Sequence, residues 1–176
     1  WDLWQYGMWA VVVMCGFELL QFLVYNVPPL LSSSPRIPIR GKHLDAFSTK
    51  DLCFIGWNKL TATLFTYHVV RFCWQSTRVM WATQDVTLLS TVGAFVAFFV
   101  VYDLFYAVFH RILHLRQIYR HIHKHHHQQH APSRGANDAV NVHPLEYVLG
   151  EYNHLLAIYL VSLLLPVHVQ AAVAFI

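Results

Sequence analysis

The chain has 176 residues, of which 56% are hydrophobic, including 15% aromatic, and only 12% are charged. Because soluble domains carry about a quarter charged residues, this composition excludes an ordinary soluble domain and predicts a single membrane domain over residues 1–176. The net charge of +3 is too small and too localised for nucleic-acid binding, and the three scattered cysteines lack the spacing of a disulfide framework or a zinc ribbon.

The first predicted element is a membrane-spanning helix over residues 3–27. About 20 apolar residues suffice to cross the hydrocarbon core, and Glu18 is the single charge within this run. We expect Glu18 to make a buried polar contact with another helix. Because proline cannot continue the helical hydrogen-bond ladder, we also expect Pro28 and Pro29 to end the helix.

Three further spans are predicted. Residues 52–74 carry several polar side chains, so this helix is expected either to line a bundle interior or to lie partly in the membrane interface. Residues 86–109 form a nearly unbroken apolar span, and residues 145–165 form the last one. The apolar piece after Pro166 would be either the continuation of a kinked helix or part of a tight helical pair. The predicted fold is therefore an all-α integral membrane bundle of about four spans.

The distribution of positive charge predicts the orientation of this bundle. If three spans precede the segment at residues 110–134, that segment lies on the same side as the loop at residues 32–50. Together these two regions hold nine of the twelve Lys and Arg residues. The positive-inside rule then places both on the cytoplasmic side.

The two ends predict that the chain is a piece of a longer protein. It begins with Trp1 rather than Met, and the apolar run of residues 167–176 stops without a polar boundary. We therefore expect the membrane domain to be incomplete at its C-terminus.

Histidine is concentrated in one region, because eight of the thirteen histidines lie within residues 110–130. Their spacing is H-x-x-x-H followed by H-x-x-H-H, and residues three or four apart share one face of a helix. Imidazole-rich sites suit iron, zinc, copper or nickel. The five histidines in this register are the predicted metal ligands: His110, His114, His123, His126 and His127. The other three are expected at the surface or beside the ligands: His121, His125 and His130.

The order of these motifs resembles that of the fatty acid hydroxylase/sterol desaturase superfamily. The stretch from Asp103 to His114 is similar to the first histidine box of that family. The H-x-x-H-H group, with Pro132 five residues after its last histidine, is similar to the second box. His143-Pro144-Leu145-Glu146 is similar to the H-P-x-E that often opens the next membrane segment, so the resemblance covers residues 103–150.

The resemblance implies an integral membrane enzyme with a non-haem di-iron centre. Such an enzyme uses dioxygen to hydroxylate or desaturate a lipid of fatty acid or sterol type. The five histidines named above would then bind iron, and a cytochrome b5-type protein would supply electrons. The resemblance also implies residence in the endoplasmic reticulum, with another organellar membrane as the alternative.

Neutral imidazole ligands need hydrogen-bond acceptors that orient them, and three residues are candidates for this role. Asp103 is seven residues before His110 and so lies on roughly the same helix face, although it can instead pair with Arg111. Glu146 is either an orienting carboxylate or an acid favoured by the positive end of a helix. His143 is the third candidate, and no catalytic residue is predicted.

The chain departs from the family pattern because a further C-terminal H-x-x-H-H box is absent from its 176 residues. Five ligands can hold one metal ion or half of a pair. Either the missing box lies beyond Ile176, or the chain is a non-catalytic accessory or structural subunit of a larger membrane complex. A protein that stores or transports metal is a third alternative. The lipid-modifying enzyme is the leading interpretation.

Overall fold

The computed structural model describes residues 1–31, 46–128 and 135–176. Most of the predicted loop at residues 32–50, together with His130 and Pro132, lies outside these residues. The described part is mostly helical, which confirms the helical class. Its α-helices are α1 (Leu3–Leu31), α2 (Thr49–Gln75), α3 (Ala94–Leu113), α4 (Arg116–Tyr119), α5 (Pro144–Ser162) and α6 (Val169–Phe175).

Shorter elements connect these helices. Two-residue strands β1 (Val79–Met80) and β2 (Val167–His168) pair in parallel. The sequence predicted an all-α fold and did not predict this strand pair. A π-helical turn over Leu89–Gly93 leads directly into α3. The described residues also contain three 3-10 helices: Thr83–Asp85, His123–Gln128 and Gly135–Asp138.

Helix α1 packs along α2 and exposes most of its apolar surface. The Oε2 atom of Glu18 lies 2.8 Å from the Nζ atom of Lys59, with the two side chains 45% and 30% exposed. The polar contact expected for Glu18 is therefore present, but it is not buried. The helix also continues through Pro28 and Pro29, contrary to the prediction. The helix ends two residues after Pro29, so the two prolines lie in its final turn.

The polar side chains of α2 contact other parts of the protein. Asn58 is fully buried, and its Nδ2 atom donates to the carbonyl oxygens of Val140 and Val142 at 2.8 and 2.9 Å. His68 lies 2.7 Å from the hydroxyl of Tyr152, measured from Nδ1. Of the two predicted alternatives for this helix, the structure shows the one in which its polar groups line the bundle interior.

Helices α3 and α5 run in opposite directions and make the most extensive helix contact among the described residues. Near their middle, the Asn153 side chain donates to the Tyr102 carbonyl oxygen at 3.1 Å. At the start of α3, Phe98 packs with Ile158, Val161 and Phe175 in an apolar core. The opposite end of the pair carries the histidines. The main apolar core and the histidine-rich region are therefore separated along one pair of helices.

Two helical stretches are long and apolar enough to cross a membrane, namely Leu3–Pro28 and Leu89–Leu113. Within the most apolar 18 residues of each stretch, only 6% and 11%, respectively, are buried within the protein. Core helices of soluble proteins bury such surfaces, and large exposed apolar surfaces indicate contact with lipid or with another protein. Helices α2 and α5 do not meet the same length and hydropathy test.

The region after Pro166 is not the continuation of a kinked helix. Helix α5 ends at Ser162, and strand β2 separates it from α6. Because β2 pairs with β1, the chain is held in an extended conformation where a continuous or kinked helix would have continued. Pairs of two-residue strands leave no periodic pattern in a sequence, which is why the pattern of apolar residues did not reveal them.

Candidate metal centre

The last turns of α3 bring the first two histidines together. His110 and His114 are four residues apart, so they project from the same face of the helix. Their Nε2 atoms are 3.1 Å apart, and their ring centroids are 4.8 Å apart. The first histidine motif therefore presents two ring nitrogens at one point.

After α4, the chain returns to the same point through the 3-10 helix His123–Gln128. His123 is fully buried, and its Nε2 atom lies 3.2 Å from Nε2 of His114. Nε2 of His127 lies 2.9 Å from Nε2 of His123. The ligand nitrogens of His110, His114 and His123 all lie within 4.8 Å of one another. Two separate motifs thus contribute to a single cluster of four imidazoles.

Hydrogen bonds between the rings account for only part of this arrangement. A ring nitrogen carries either one proton or one lone pair, so it makes one good hydrogen bond at a time. Nε2 of His114 contacts two other Nε2 atoms, and so does Nε2 of His123. At most two of the three contacts can be hydrogen bonds. One shared cation would satisfy the nitrogens of His110, His114 and His123, and His127 contacts this group through His123.

The distances between these nitrogens also fit a metal ion. Imidazole nitrogens bind zinc at about 2.0–2.1 Å, so neighbouring ligands around one such ion are about 2.9–3.4 Å apart. The three measured separations are 2.9, 3.1 and 3.2 Å. The donor set is therefore suited to a transition metal of the kind that imidazole prefers.

Glu146, in the first turn of α5, fixes the orientation of His123. Its Oε1 atom lies 2.8 Å from Nδ1 of His123, and both groups are buried. When Nδ1 donates this hydrogen bond, Nε2 keeps its lone pair and directs it at the other histidines. Such a carboxylate–histidine pair commonly orients metal-binding imidazoles. The role predicted for Glu146 beside the ligands thus agrees with its position.

Burial shifts the pKa values of this pair in opposite directions. It lowers the pKa of His123 to about 4, with the neighbouring histidines adding to the effect. Burial raises the pKa of Glu146 to about 7. Both shifts arise because a charged group loses hydration when it is buried. His123 is therefore neutral at pH 7, which is the form that binds metal.

The other predicted site residues occupy different positions. The His126 ring lies beside the cluster, 5.6 Å from the His123 ring between centroids, but makes no hydrogen-bond contact with a described residue. Asp103 is exposed and makes no hydrogen bond or ion pair within the described ranges. Nδ1 of His143 accepts from the Leu145 N–H at 3.2 Å and caps α5. Burial lowers the pKa of His143, and the charges of nearby residues lower it further.

Two histidines outside the predicted ligand set have defined partners. His121 is exposed and accepts from Nε of Arg120 at 2.8 Å. Nε2 of His125 lies 3.0 Å from Oδ1 of Asn141 and 3.1 Å from Oδ1 of Asp51. His125 therefore faces α2 rather than the cluster.

Several residues around the cluster were not predicted from the sequence. The ring of Tyr119 lies 5.7–6.0 Å from the rings of His114, His123 and His127, between centroids. Asp51 and Asn141 were also missed. For Asp51, the pattern Ser48-x-x-Asp51 indicates a helix start, but nothing in it points to the histidines.

Comparison with protein-family models, with curated proteins and with solved structures finds no match for this chain.

Proposed function

We propose that the chain is a membrane oxygenase that uses iron and dioxygen to hydroxylate or desaturate a lipid of fatty acid or sterol type. The supporting observation is a series of short Nε2 contacts that joins two histidine motifs, running from His110 through His114 and His123 to His127. The order and spacing of the motifs, which resemble those of the fatty acid hydroxylase/sterol desaturase superfamily, connect this cluster with oxygen chemistry.

In this proposal the chain's own residues hold and orient the metal. The imidazoles of His110, His114 and His123 would bind the ion, with His127 beside them, and Glu146 would keep the lone pair of His123 directed at it. Iron held there would supply the chemistry with dioxygen that oxidises an unactivated C–H bond. His123 and Glu146 are buried, so they would help to keep water away from the ion.

We further propose that four helices cross the membrane, with the cluster on the cytoplasmic side. Helix α1 and the stretch Leu89–Leu113 expose apolar surface suited to lipid. Helices α2 and α5 would cross beside them, with their first turns outside the lipid at the level of the cluster. Positive residues of that level favour the cytoplasmic side by the positive-inside rule; they are Lys50, Arg111, Arg116, Arg120 and Lys124. A cytochrome b5-type electron donor and residence in the endoplasmic reticulum rest on the family resemblance alone.

One observation favours a second function, that of a non-catalytic subunit of a larger membrane complex. The nitrogens of His110, His114 and His123 lie close enough together for one ion, whereas a di-iron centre needs ligands for two. Within residues 1–31, 46–128 and 135–176, no second group of three potential ligands occurs. A chain with one partial site would act through its assembly rather than through oxidation.

Metal content and product formation distinguish these functions. We would purify the chain from iron-supplemented cells in detergent, measure iron by mass spectrometry, and incubate it with lipids, dioxygen and a reductant. The oxygenase predicts two irons per chain and an oxidised lipid. The subunit predicts one ion or fewer and no product. Replacement of His114 by Ala should remove metal and product, whereas His121→Ala, in the same region but outside the cluster, should preserve both.

A further inference from the structure

A buried polar network joins the histidine segment to the start of α2. Nε2 of His125 lies 3.0 Å from Oδ1 of Asn141 and 3.1 Å from Oδ1 of Asp51, so its single N–H is shared between two acceptors. Nδ2 of Asn141 donates to the same Asp51 oxygen at 2.7 Å. The three side chains are almost fully buried. Residues from three separate parts of the chain therefore meet at one carboxylate oxygen.

The second oxygen of Asp51 is fixed independently. Both the backbone N–H and the hydroxyl of Ser48 donate to Oδ2 at 2.7 Å. The Ser48 hydroxyl oxygen in turn accepts from the Asp51 N–H at 3.2 Å, which completes a capping box at the start of α2. Since both carboxylate oxygens are engaged, the orientation of Asp51 is set by a rigid helix end.

His125 connects the fixed Asp51 side chain to the histidine cluster. It lies two residues after His123 and two residues before His127, within one 3-10 helix. Its ring packs edge-on against Phe54, with centroids 4.9 Å apart. Phe54 also contacts His143, the residue that caps α5, at 5.4 Å between centroids. The first turns of α2 thus contact both the histidine segment and the helix start that carries the carboxylate partner of His123.

We propose that Asp51 and His125 are positioning residues of the metal centre. They do not touch the ion; they hold the 3-10 helix so that His123 and His127 face the two histidines of α3. This inference rests on the proposed metal centre and adds to it a support from α2. Loss of the network would let the 3-10 helix shift away from α3, which separates the two halves of the ligand set.

Cobalt binding provides the test, because the visible absorption of bound Co²⁺ reports the geometry of its ligands. We would titrate the purified full chain, stripped of metal, with Co²⁺ alone. Asp51→Ala and His125→Ala should each lower the affinity for Co²⁺ about 10–100-fold, the range found for residues that orient metal ligands. Both should also change the shape of the absorption band. The double variant should resemble either single variant, since the two residues act as a unit.

Two further variants separate positioning from general stability. His125→Gln retains an N–H donor that can reach Asp51, so it should restore most of the affinity and the wild-type band. Asp51→Asn preserves the shape of the side chain and provides a folded variant should Asp51→Ala not fold. Glu18→Gln is the matched control, because it breaks an ion pair of α2 away from the cluster and should leave the cobalt spectrum unchanged.

The outcomes are distinguishable. If the unmodified chain binds no Co²⁺ and no iron, the proposed metal centre is wrong and the positioning role falls with it. If the unmodified chain binds metal and folded variants at Asp51 and His125 keep its affinity and spectrum, the positioning role alone is overturned. Weakened, spectrally altered binding that His125→Gln restores supports it.

Discussion

The two ends of the α3–α5 pair are held together by different kinds of contact. At one end, Phe98 and Ile158 are fully buried in a close-packed apolar core. At the other end, His123 and Glu146 are buried, but they are joined by a directional hydrogen bond. Apolar cores tolerate replacements that conserve volume, whereas the histidine end depends on where each nitrogen points. The first end provides stability, and the second provides a site.

The largest effect on stability is expected from Phe98→Ala. The Phe98 ring is fully buried and packs on Phe175 at 5.1 Å between centroids. Loss of a buried aromatic ring should lower the free energy of unfolding by about 3–5 kcal/mol, measured by denaturant titration in detergent. Phe105→Ala, at an exposed position of the same helix, is the control. Equal losses for both variants would contradict the assignment of the core to this end.

The next largest effect should distinguish two adjacent histidines. His127 has its Nε2 atom 2.9 Å from Nε2 of His123, whereas His126 lies beside the cluster without such a contact. We expect His127→Ala to weaken metal binding by more than about 100-fold and His126→Ala by less than about 10-fold, because the loss of a ligand should exceed that of an orienting neighbour. Isothermal titration with Co²⁺ measures both. The reverse order would restore the sequence-based assignment of His126 as a ligand.

A smaller effect is expected where a carboxylate only orients a ligand. Glu146→Gln keeps an oxygen acceptor but removes the negative charge that favours the Nδ1–H form of His123. Metal affinity should fall about 10–100-fold, as measured by competition with a chelator. Glu151→Gln, on the same helix, should leave the affinity unchanged. An unchanged affinity for Glu146→Gln would show that the charge of this carboxylate is unimportant to the cluster.

The smallest effect concerns acid stability at Asp51. Burial alone would raise the pKa of this carboxyl, but hydrogen bonds from Ser48 and Asn141 outweigh it and bring the pKa from its ordinary value of 3.8 to about 2. A depressed folded-state pKa stabilises the protein above pH 3.8, and the stabilisation is lost as the pH falls through 2. The Tm difference between the unmodified chain and Asp51→Asn should therefore shrink between pH 5 and pH 2. A constant difference would contradict this linkage.

The sequence predicted the parts of the site that depend on local spacing. His110 and His114 converge because they are four residues apart on one helix. For the second motif, spacings of three and four residues predicted that both His126 and His127 would join His123. The Nε2 atom of His127 lies 2.9 Å from that of His123, whereas the His126 ring lies 5.6 Å from the His123 ring between centroids. Local spacing indicates which region brings histidines together, but it does not decide which member of a histidine run places its nitrogen nearest to the others.

Contacts between distant residues could not be predicted from the sequence. Asn141 and Asp51 are 90 positions apart, and their hydrogen bond follows from how α2 packs beside the rest of the bundle. The same holds for Asn58, which binds carbonyl groups more than 80 positions away. Composition correctly indicated that such polar groups need partners. It contains no information about which partners they find.

The pairing of Val79 with Val167 has a consequence for how the protein forms. These residues are 88 positions apart by their numbers, so the strand pair closes only after nearly all of the described chain has left the ribosome. Contacts between such distant residues slow folding, because a long loop must be ordered first. Helices α1 and α2 can associate before residue 167 is synthesised, whereas the junction of β1 and β2 cannot form until then.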